Sequence, residues 1–208
     1  MVVSDLKQTS PERYRICFED GSEIRSTLSA IAEMRVAKGK DFDDEQIEKL
    51  KSISFRSLTL EKAIELVSYR QMSAKELFDK LRHKGIDEET AEYCAVKLVE
   101  MGIIDEERYA SSLAAHYSGK GYGAGKIRAE FSRRGIPRDL WDDALNDLPQ
   151  SDDKLDHLIR SKLSDPSDRN QIRKVSASLY RRGYSWNEIR SALERCSMDM
   201  DVTEPEEF

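Results

Sequence analysis

The stretch KGYGAGKIRAEFSRRGIP, residues 120–137, combines the signals that end one helix and begin another. Ile127 and Phe131 are apolar and lie one helical turn apart, which is typical of the buried side of a helix. Gly135 then follows two arginines, and Pro137 comes almost directly after it. Glycine readily takes the left-handed conformation at a helix C-terminus, and proline has the fixed φ that suits a first turn. The stretch therefore predicts a helix, a tight glycine turn and a second helix.

The same unit recurs upstream and downstream of this stretch. Each copy has two apolar residues four positions apart, a glycine four positions further on, and a basic residue directly before that glycine. The aligned residues are Leu77, Leu81, Lys84 and Gly85; Ile127, Phe131, Arg134 and Gly135; and Val175, Leu179, Arg182 and Gly183. Near-constant spacing of similar segments is the signature of tandem helical repeats. The sequence therefore predicts three copies of one helical unit.

Composition sets the limits of the fold and of the partners. The chain has 208 residues, of which 36% are charged and 38% are hydrophobic, with only 5 prolines and 10 glycines. This balance favours a mostly α protein with long helices. The formal net charge of −6 gives no support for nucleic-acid binding by the chain as a whole. A positive surface must therefore come from the local distribution of charge.

The cysteines, histidines and N-terminus point to no special compartment or cofactor. The three cysteines are far apart and odd in number, and the three histidines have no ligand spacing. The N-terminus MVVSDLKQ does not resemble a signal peptide, and no apolar run reaches the roughly 18 residues of a membrane helix. We therefore expect a soluble, cytoplasmic protein without a metal or cofactor.

Residues 1–57 are predicted to form a small α+β unit without repeat character. Residues 14–18, YRICF, and 23–26, EIRS, alternate apolar and polar side chains around an Asp-Gly turn, which predicts a β-hairpin. A helix is expected over residues 28–37, and a second helix begins at Asp43 or Asp44. A lone hairpin is marginal in water, so it must pack on these helices.

From Thr59 onwards the sequence predicts helices in groups of three. The predicted starts of the helices are Thr59, Ser73, Asp87, Asp105, Pro137, Ser151, Asp168 and Ser185, together with Gly123 at the glycine-rich entry. The predicted domains are residues 58–103, 104–149 and 150–197. Residues 198–208 are acidic and poor in apolar side chains, and are expected to be a disordered tail.

No catalytic motif is present in the sequence. Gly125-Lys126 invites comparison with a phosphate-binding loop, but that motif needs Gly at 120 and a hydroxyl at 127, where Lys120 and Ile127 stand. No metal cluster and no activated nucleophile with a histidine partner is visible. We therefore predict that the protein is not an enzyme and that the glycines shape a turn between helices.

Basic residues cluster at the ends of the predicted helices. They have two possible roles, which the sequence leaves open: capping of helix C-termini, or a basic stripe that follows a phosphate backbone or an acidic protein surface. Lys126 and Arg133 lie seven positions apart and are expected on one helix face. The candidate binding residues are Arg82, Lys84, Arg108, Lys120, Tyr122, Lys126, Arg128, Arg133, Arg134, Arg138, Arg173, Lys174, Arg181 and Arg182.

These segments resemble the RecX family of bacterial regulators of the RecA recombinase. The resemblance covers about residues 60–196, and each piece is weak, but their order and spacing are specific. The matching residues are Ser73, Glu76, Leu77, Leu81, Lys84–Ile86, Leu98, Gly102–Asp105, Arg108–Ala110, Gly121–Gly123, Ile127 and Arg134–Ile136. The chain departs from the family pattern at Asp105-Glu106, where two aspartates are usual, and at Tyr184, where the other repeats have Ile.

The resemblance implies three tandem three-helix repeats in a curved, elongated array, here preceded by the α+β unit. It also implies a regulator of DNA repair, recombination and the SOS response that binds the RecA filament on single-stranded DNA. Such a regulator, expected as a monomer, inhibits or modulates ATP hydrolysis, strand exchange and co-protease activity. Binding along the filament groove and capping of a filament end are both open. A stand-alone DNA-binding regulator of helix-turn-helix type is the alternative function, and a pure scaffold is a third.

Overall fold

The computed structural model of the chain describes residues 1–148, 152–164 and 168–196. It is mostly helical, with a three-stranded antiparallel sheet at the N-terminus, as predicted for the class of fold. The elements are β1 Val3–Ser10, β2 Arg13–Phe18, β3 Glu23–Thr27, α1 Leu28–Glu33, α2 Asp44–Tyr69, α3 Ala74–His83, α4 Glu88–Glu100, α5 Glu106–Gly119, α6 Ala124–Arg134, a 3₁₀ turn Arg138–Leu140, α7 Trp141–Asn146, α8 Asp152–Lys162, α9 Arg169–Arg181 and α10 Trp186–Arg195.

The N-terminal unit contains one strand more than the sequence predicted. The hairpin is present as β2 and β3, with Gly21 at φ 84° in its turn. In addition, β1 pairs antiparallel with β2, which was missed because residues 3–10 have few β-branched or aromatic side chains. The helix predicted over residues 28–37 ends at Glu33 instead, because Arg35 takes a positive φ of 48°. Val36 is buried in the core beyond this turn.

The predicted helix start at Thr59 is wrong. Thr59 lies inside α2, which runs without a break from an Asp43 capping box to Tyr69. No glycine or proline interrupts these residues, and the Thr59 hydroxyl donates to the Phe55 carbonyl at 2.8 Å instead of capping a helix. At 26 residues, α2 is about 39 Å long and contributes to two hydrophobic clusters.

Most of the other predicted helix starts are confirmed. Ser73 and Ser185 each form a capping box, and Asp87, Asp105 and Asp168 each accept a hydrogen bond from the first turn. Pro137 begins a 3₁₀ turn rather than an α-helix, and α7 follows at Trp141. The predicted start at Ser151 and the predicted tail, residues 198–208, lie outside the described residues.

Within the described residues, the core is divided into four clusters rather than one. The first joins the sheet, α1 and the start of α2, and the second joins the end of α2 with α3 and α4. The third lies among α5, α6 and α7, and the fourth among α8, α9 and α10. By its contacts the chain forms two compact units, Met1–Ile104 and Asp105–Phe208, called unit 1 and unit 2 below. The finer domain limits given above remain predictions.

Candidate functional site

The glycine-rich entry to α6 lies directly against the end of α9. The backbone N–H of Gly123 donates to the Arg182 carbonyl at 3.0 Å, and that of Gly125 donates to the Gly183 carbonyl at 2.9 Å. Two turns from different parts of unit 2 are thus joined through their backbones. We call this contact the glycine junction.

Close approach excludes a side chain at two of these glycines, of which Gly183 also takes a positive φ of 91° in its turn. A Cβ on Gly123 would lie 2.6 Å from the Tyr184 nitrogen, and one on Gly183 would lie 2.7 Å from the Lys126 Cβ. Gly123 has an ordinary φ of −82°, so a side chain is excluded there by contact and not by backbone strain. Gly121, in contrast, takes a φ of 75° and makes the turn after α5, as the sequence predicted. The junction itself was not predicted.

The glycine junction gathers cations from three helices, the ends of α5 and α9 and the first turn of α6. The Arg182 guanidinium lies 5.7 Å from the centroid of the Tyr122 ring and donates to the Gly121 carbonyl at 3.4 Å. Lys120 directly precedes Gly121, and Arg181 directly precedes Arg182. Both cations are exposed and have no ion pair within the described residues. Lys126, at the junction itself, is half-exposed. We call Lys120, Lys126, Arg181 and Arg182 the junction cations.

Glu130 organises the basic residues on α6. Its carboxylate is buried and lies 2.7 Å from Arg133 Nη2 and 3.6 Å from Lys126 Nζ, which confirms that these two cations share one face. Burial of the carboxylate raises its pKa, but the hydrogen bond and charge of Arg133, with Lys126 and Tyr117, outweigh this and hold the pKa of Glu130 below its usual value. The charge of Glu130 thus neutralises part of the predicted basic stripe.

Arg134 is held inside unit 2. Its guanidinium donates to the Tyr109 hydroxyl at 2.6 Å and lies 5.9 Å from the centroid of that ring. Only 16% of its side chain is exposed, and Tyr109 is a buried member of the third cluster. This geometry fits a residue that fixes α6 on α5 better than one that contacts a partner.

The remaining candidate residues divide into paired and open cations. Arg128 pairs with Asp142 at 3.2 Å, Arg138 lies over the Trp141 ring, and Arg82 donates to the Ile86 carbonyl at 2.8 Å. The Arg82 contact joins the end of α3 to the connection that precedes α4, and does not reach the last carbonyls of α3. The exposed candidates for which the described residues provide no ion pair are Lys84, Arg108, Arg173 and Lys174.

An aromatic pair beside Arg181 was missed at the sequence level. The rings of Tyr180 and Trp186 are stacked, with centroids 5.1 Å apart and planes inclined by 17°. Tyr180 is 51% exposed although it is large and aromatic. The signal available in the sequence was an aromatic residue on each side of the Gly183 turn. Exposed rings next to cations are the combination that single-stranded nucleic acids bind by stacking and by phosphate contacts.

Metal and membrane chemistry find no support in the described part of the chain. None of its groups of His, Cys, Asp and Glu side chains is arranged to hold a metal ion. None of its helices is long and apolar enough to cross a membrane. The three cysteines are all free thiols.

Comparison with known proteins identifies the family. Residues 60–98, 105–145 and 151–193 match the first, second and third three-helix domains of RecX, together more than half of the chain. A regulatory protein RecX of Trichlorobacter lovleyi is 32% identical over 141 residues, which cover 64% of this chain and 92% of that protein. Another, from Pseudomonas fluorescens SBW25, is 34% identical over 140 residues, covering 66% of this chain and 90% of that protein.

Solved structures agree with the fold. A crystal structure of a regulatory protein RecX superposes with a TM-score of 0.81 at 22% identity, covering 93% of this chain and 98% of that one. RecX from Lactobacillus salivarius gives a TM-score of 0.62 at 26% identity, covering 68% of this chain and 96% of that one. The predicted three-helix repeats are therefore those of a known architecture, and the chain belongs to the RecX family of regulatory proteins.

Proposed function

We propose that this protein binds a RecA-type recombinase filament on single-stranded DNA and inhibits or modulates its activity. The affected activities are ATP hydrolysis, strand exchange and co-protease function, in DNA repair and recombination. Membership of a regulatory family supports the regulatory part of this proposal. The DNA-facing part rests on the residues of unit 2.

The glycine junction is the observation that carries the proposal. It brings Lys120 and Lys126 of one repeat next to Arg181 and Arg182 of another, beside the exposed ring of Tyr180. A chain with a net charge of −6 has thereby a local cationic surface with an aromatic ring, which suits a phosphate backbone with accessible bases. Free DNA is expected to bind weakly because the charge of the rest of the chain opposes it.

The decisive test is the recombinase ATPase on single-stranded DNA with this protein titrated in. The test variant carries Lys120→Glu and Arg181→Glu, two exposed cations at the glycine junction. The control carries Arg160→Glu and Arg190→Glu, which have the same change in charge on exposed residues of α8 and α10. We expect the parent and the control to inhibit and the junction variant to inhibit at least about tenfold less well, because phosphate contacts are lost.

Two outcomes would contradict the proposal. Absence of any effect of the parent on the ATPase, together with tight and sequence-selective binding to naked duplex, would favour the stand-alone DNA-binding regulator. Equal inhibition by the junction variant and the control would exclude the junction cations from the interface. The dose that inhibits also separates the two binding modes, since groove binding requires protein in proportion to filament length and end capping requires far less.

A further inference from the structure

Unit 1 contains a cationic cavity that the proposed function does not use. It has a volume of about 310 Å³ and lies where the sheet meets the second half of α2. Arg13, Arg15 and Arg25 line it from the sheet, and Lys62 lines it from α2. Four cations around one small cavity repel one another unless an anion lies between them.

The register of the sheet makes this arrangement costly to the fold. Arg15 on β2 is directly opposite Arg25 on β3, and on its other side it is directly opposite Lys7 on β1. Residues that face each other across strands lie on the same side of the sheet, and like charges in such positions destabilise it. The row Lys7–Arg15–Arg25 therefore needs an explanation other than stability.

Carboxylates compensate only part of this charge. Arg13 pairs with Glu61 at 2.6 Å and with Glu65 at 3.6 Å, and Arg15 pairs with Glu23 at 3.2 Å. These ion pairs hold two of the four guanidinium and ammonium groups in place.

Arg25 and Lys62 have no such ion pair within the described residues. Both side chains are exposed. The cavity thus combines two cations that are already positioned with two that are available to a ligand.

We infer that this cavity binds a phosphate group of a single-stranded nucleic acid. Arginine presents a planar fork of donors that matches phosphate oxygens, and the lysine adds a point charge. The cavity volume lies at the low end of the range of ligand sites, about 300–1,000 Å³, which suits one nucleotide unit. Tyr14 and Leu58 complete its wall with apolar surface for a sugar or a base edge.

The row of cations that leaves the cavity favours a single-stranded nucleic acid over an acidic peptide as the ligand. Neighbouring β-strands are about 4.8 Å apart, so the row from Arg25 to Lys7 extends about 10 Å across the sheet. Such a linear path suits consecutive phosphates of one backbone. The three arginines precede residue 60, where the match to the RecX domains begins, and Lys62 lies within that match. The site therefore joins the N-terminal sheet to the first matched domain.

The inference is tested by fluorescence anisotropy of a labelled thymidine homopolymer with the full chain and no recombinase. The cavity variant carries Arg25→Gln and Lys62→Gln. The matched control carries Lys38→Gln and Lys49→Gln, exposed cations of unit 1 outside the cavity. We expect the cavity variant to bind about tenfold more weakly than the control, with a log–log salt slope shallower by roughly 1.4, since two contacts at about 0.7 each are lost.

Two further measurements separate this site from its alternatives. Arg25→Glu should weaken binding while leaving the thermal midpoint at or above that of the parent, because an acid facing Arg15 replaces a repulsion. A lowered midpoint would instead give the arginine a structural role and overturn the argument from register.

Polyglutamate of equal charge should not displace the labelled thymidine homopolymer. Effective displacement would indicate an acidic protein ligand and overturn the inference.

The outcome for the cavity site is independent of the outcome for the proposed function. Equal binding of the strand by the cavity variant and its control overturns the cavity site, whatever the recombinase assay gives. Loss of strand binding in the cavity variant supports the site even if the parent has no effect on recombinase ATPase.

Discussion

The Gly85 turn and the Gly183 turn have the same local sequence pattern and different surroundings. Both follow a basic residue, and both glycines take a left-handed conformation, with φ of 82° and 91°. Around Gly85 a Cβ would meet nothing within 4 Å, whereas at Gly183 it would collide with Lys126. A repeat in sequence therefore guarantees the same helix end but not the same tertiary contact. Only the second of these turns joins two parts of its unit.

The basic residues before the three aligned glycines differ in the same way. Lys84 is exposed, Arg134 is bound to the Tyr109 hydroxyl, and Arg182 lies over the Tyr122 ring. Aligned cations in this chain are therefore not equivalent surface charges. A binding surface must be derived from the contacts of each residue and not from the repeat.

The largest expected effect comes from Gly183→Ala compared with Gly85→Ala. The first substitution adds a backbone collision to a strained φ and should destabilise unit 2 by roughly 3 kcal/mol or more. The second adds strain alone and should cost about 1–2 kcal/mol. Urea denaturation followed by tryptophan fluorescence isolates the first effect, because both tryptophans, Trp141 and Trp186, lie in unit 2.

Far-UV circular dichroism provides the control for this comparison. Gly85→Ala should shift the helical signal without moving the fluorescence midpoint, since its turn lies in unit 1. If Gly183→Ala destabilised unit 2 by fluorescence no more than Gly85→Ala destabilises unit 1 by circular dichroism, the glycine junction would add nothing to the stability of unit 2.

Helix periodicity and capping were enough to predict most of the helical part of the fold. Ser73, Asp87, Asp105 and Ser185 cap helices where their spacing to the following apolar residues placed them. These signals are local, because a cap satisfies backbone groups within its own first turn. The prediction at Thr59 was wrong because a threonine inside a helix can also donate a hydrogen bond to a carbonyl of the preceding turn.

The glycine junction and the aromatic pair could not be predicted because they depend on contacts far apart in sequence. Gly123 looks like any helix entry until the backbone of Gly183 is placed against it. Tyr180 occupies an exposed position of α9, and its stacking on Trp186 follows from the turn between α9 and α10. Periodicity indicates which side of a helix is buried and says nothing of what meets its exposed side.

A smaller effect is expected from Arg134→Met compared with Lys84→Met. The first substitution keeps most of the side-chain volume but removes the charged donor to the Tyr109 hydroxyl, which should cost about 2 kcal/mol. The second removes an exposed cation at a helix end and should change stability by about 0.5 kcal/mol at most. Thermal unfolding followed by circular dichroism measures both. If Arg134→Met were as stable as Lys84→Met, Arg134 would be available for a partner after all.

The smallest effect concerns Glu130, which stands five residues before Gly135, where the first repeat has the exposed Lys80 before Gly85. Because its pKa is held below the usual value in the folded protein, its ion pairs stabilise above the ordinary glutamate pKa of about 4.3. This stabilisation is lost as the pH falls through the lower folded pKa.

Glu130→Gln should therefore cost about 1 kcal/mol near neutral pH, and the difference from the parent should shrink as the pH falls through the lowered folded pKa of Glu130. Urea midpoints of tryptophan fluorescence at neutral and at acid pH measure this for Glu130→Gln. Lys80→Gln is the control, and it is followed by circular dichroism because Lys80 lies in unit 1; its midpoint should equal that of the parent at either pH. A loss that persists undiminished in acid would mean that Glu130 stabilises α6 by packing rather than by charge, and that Lys126 and Arg133 are free to bind a phosphate without first leaving it.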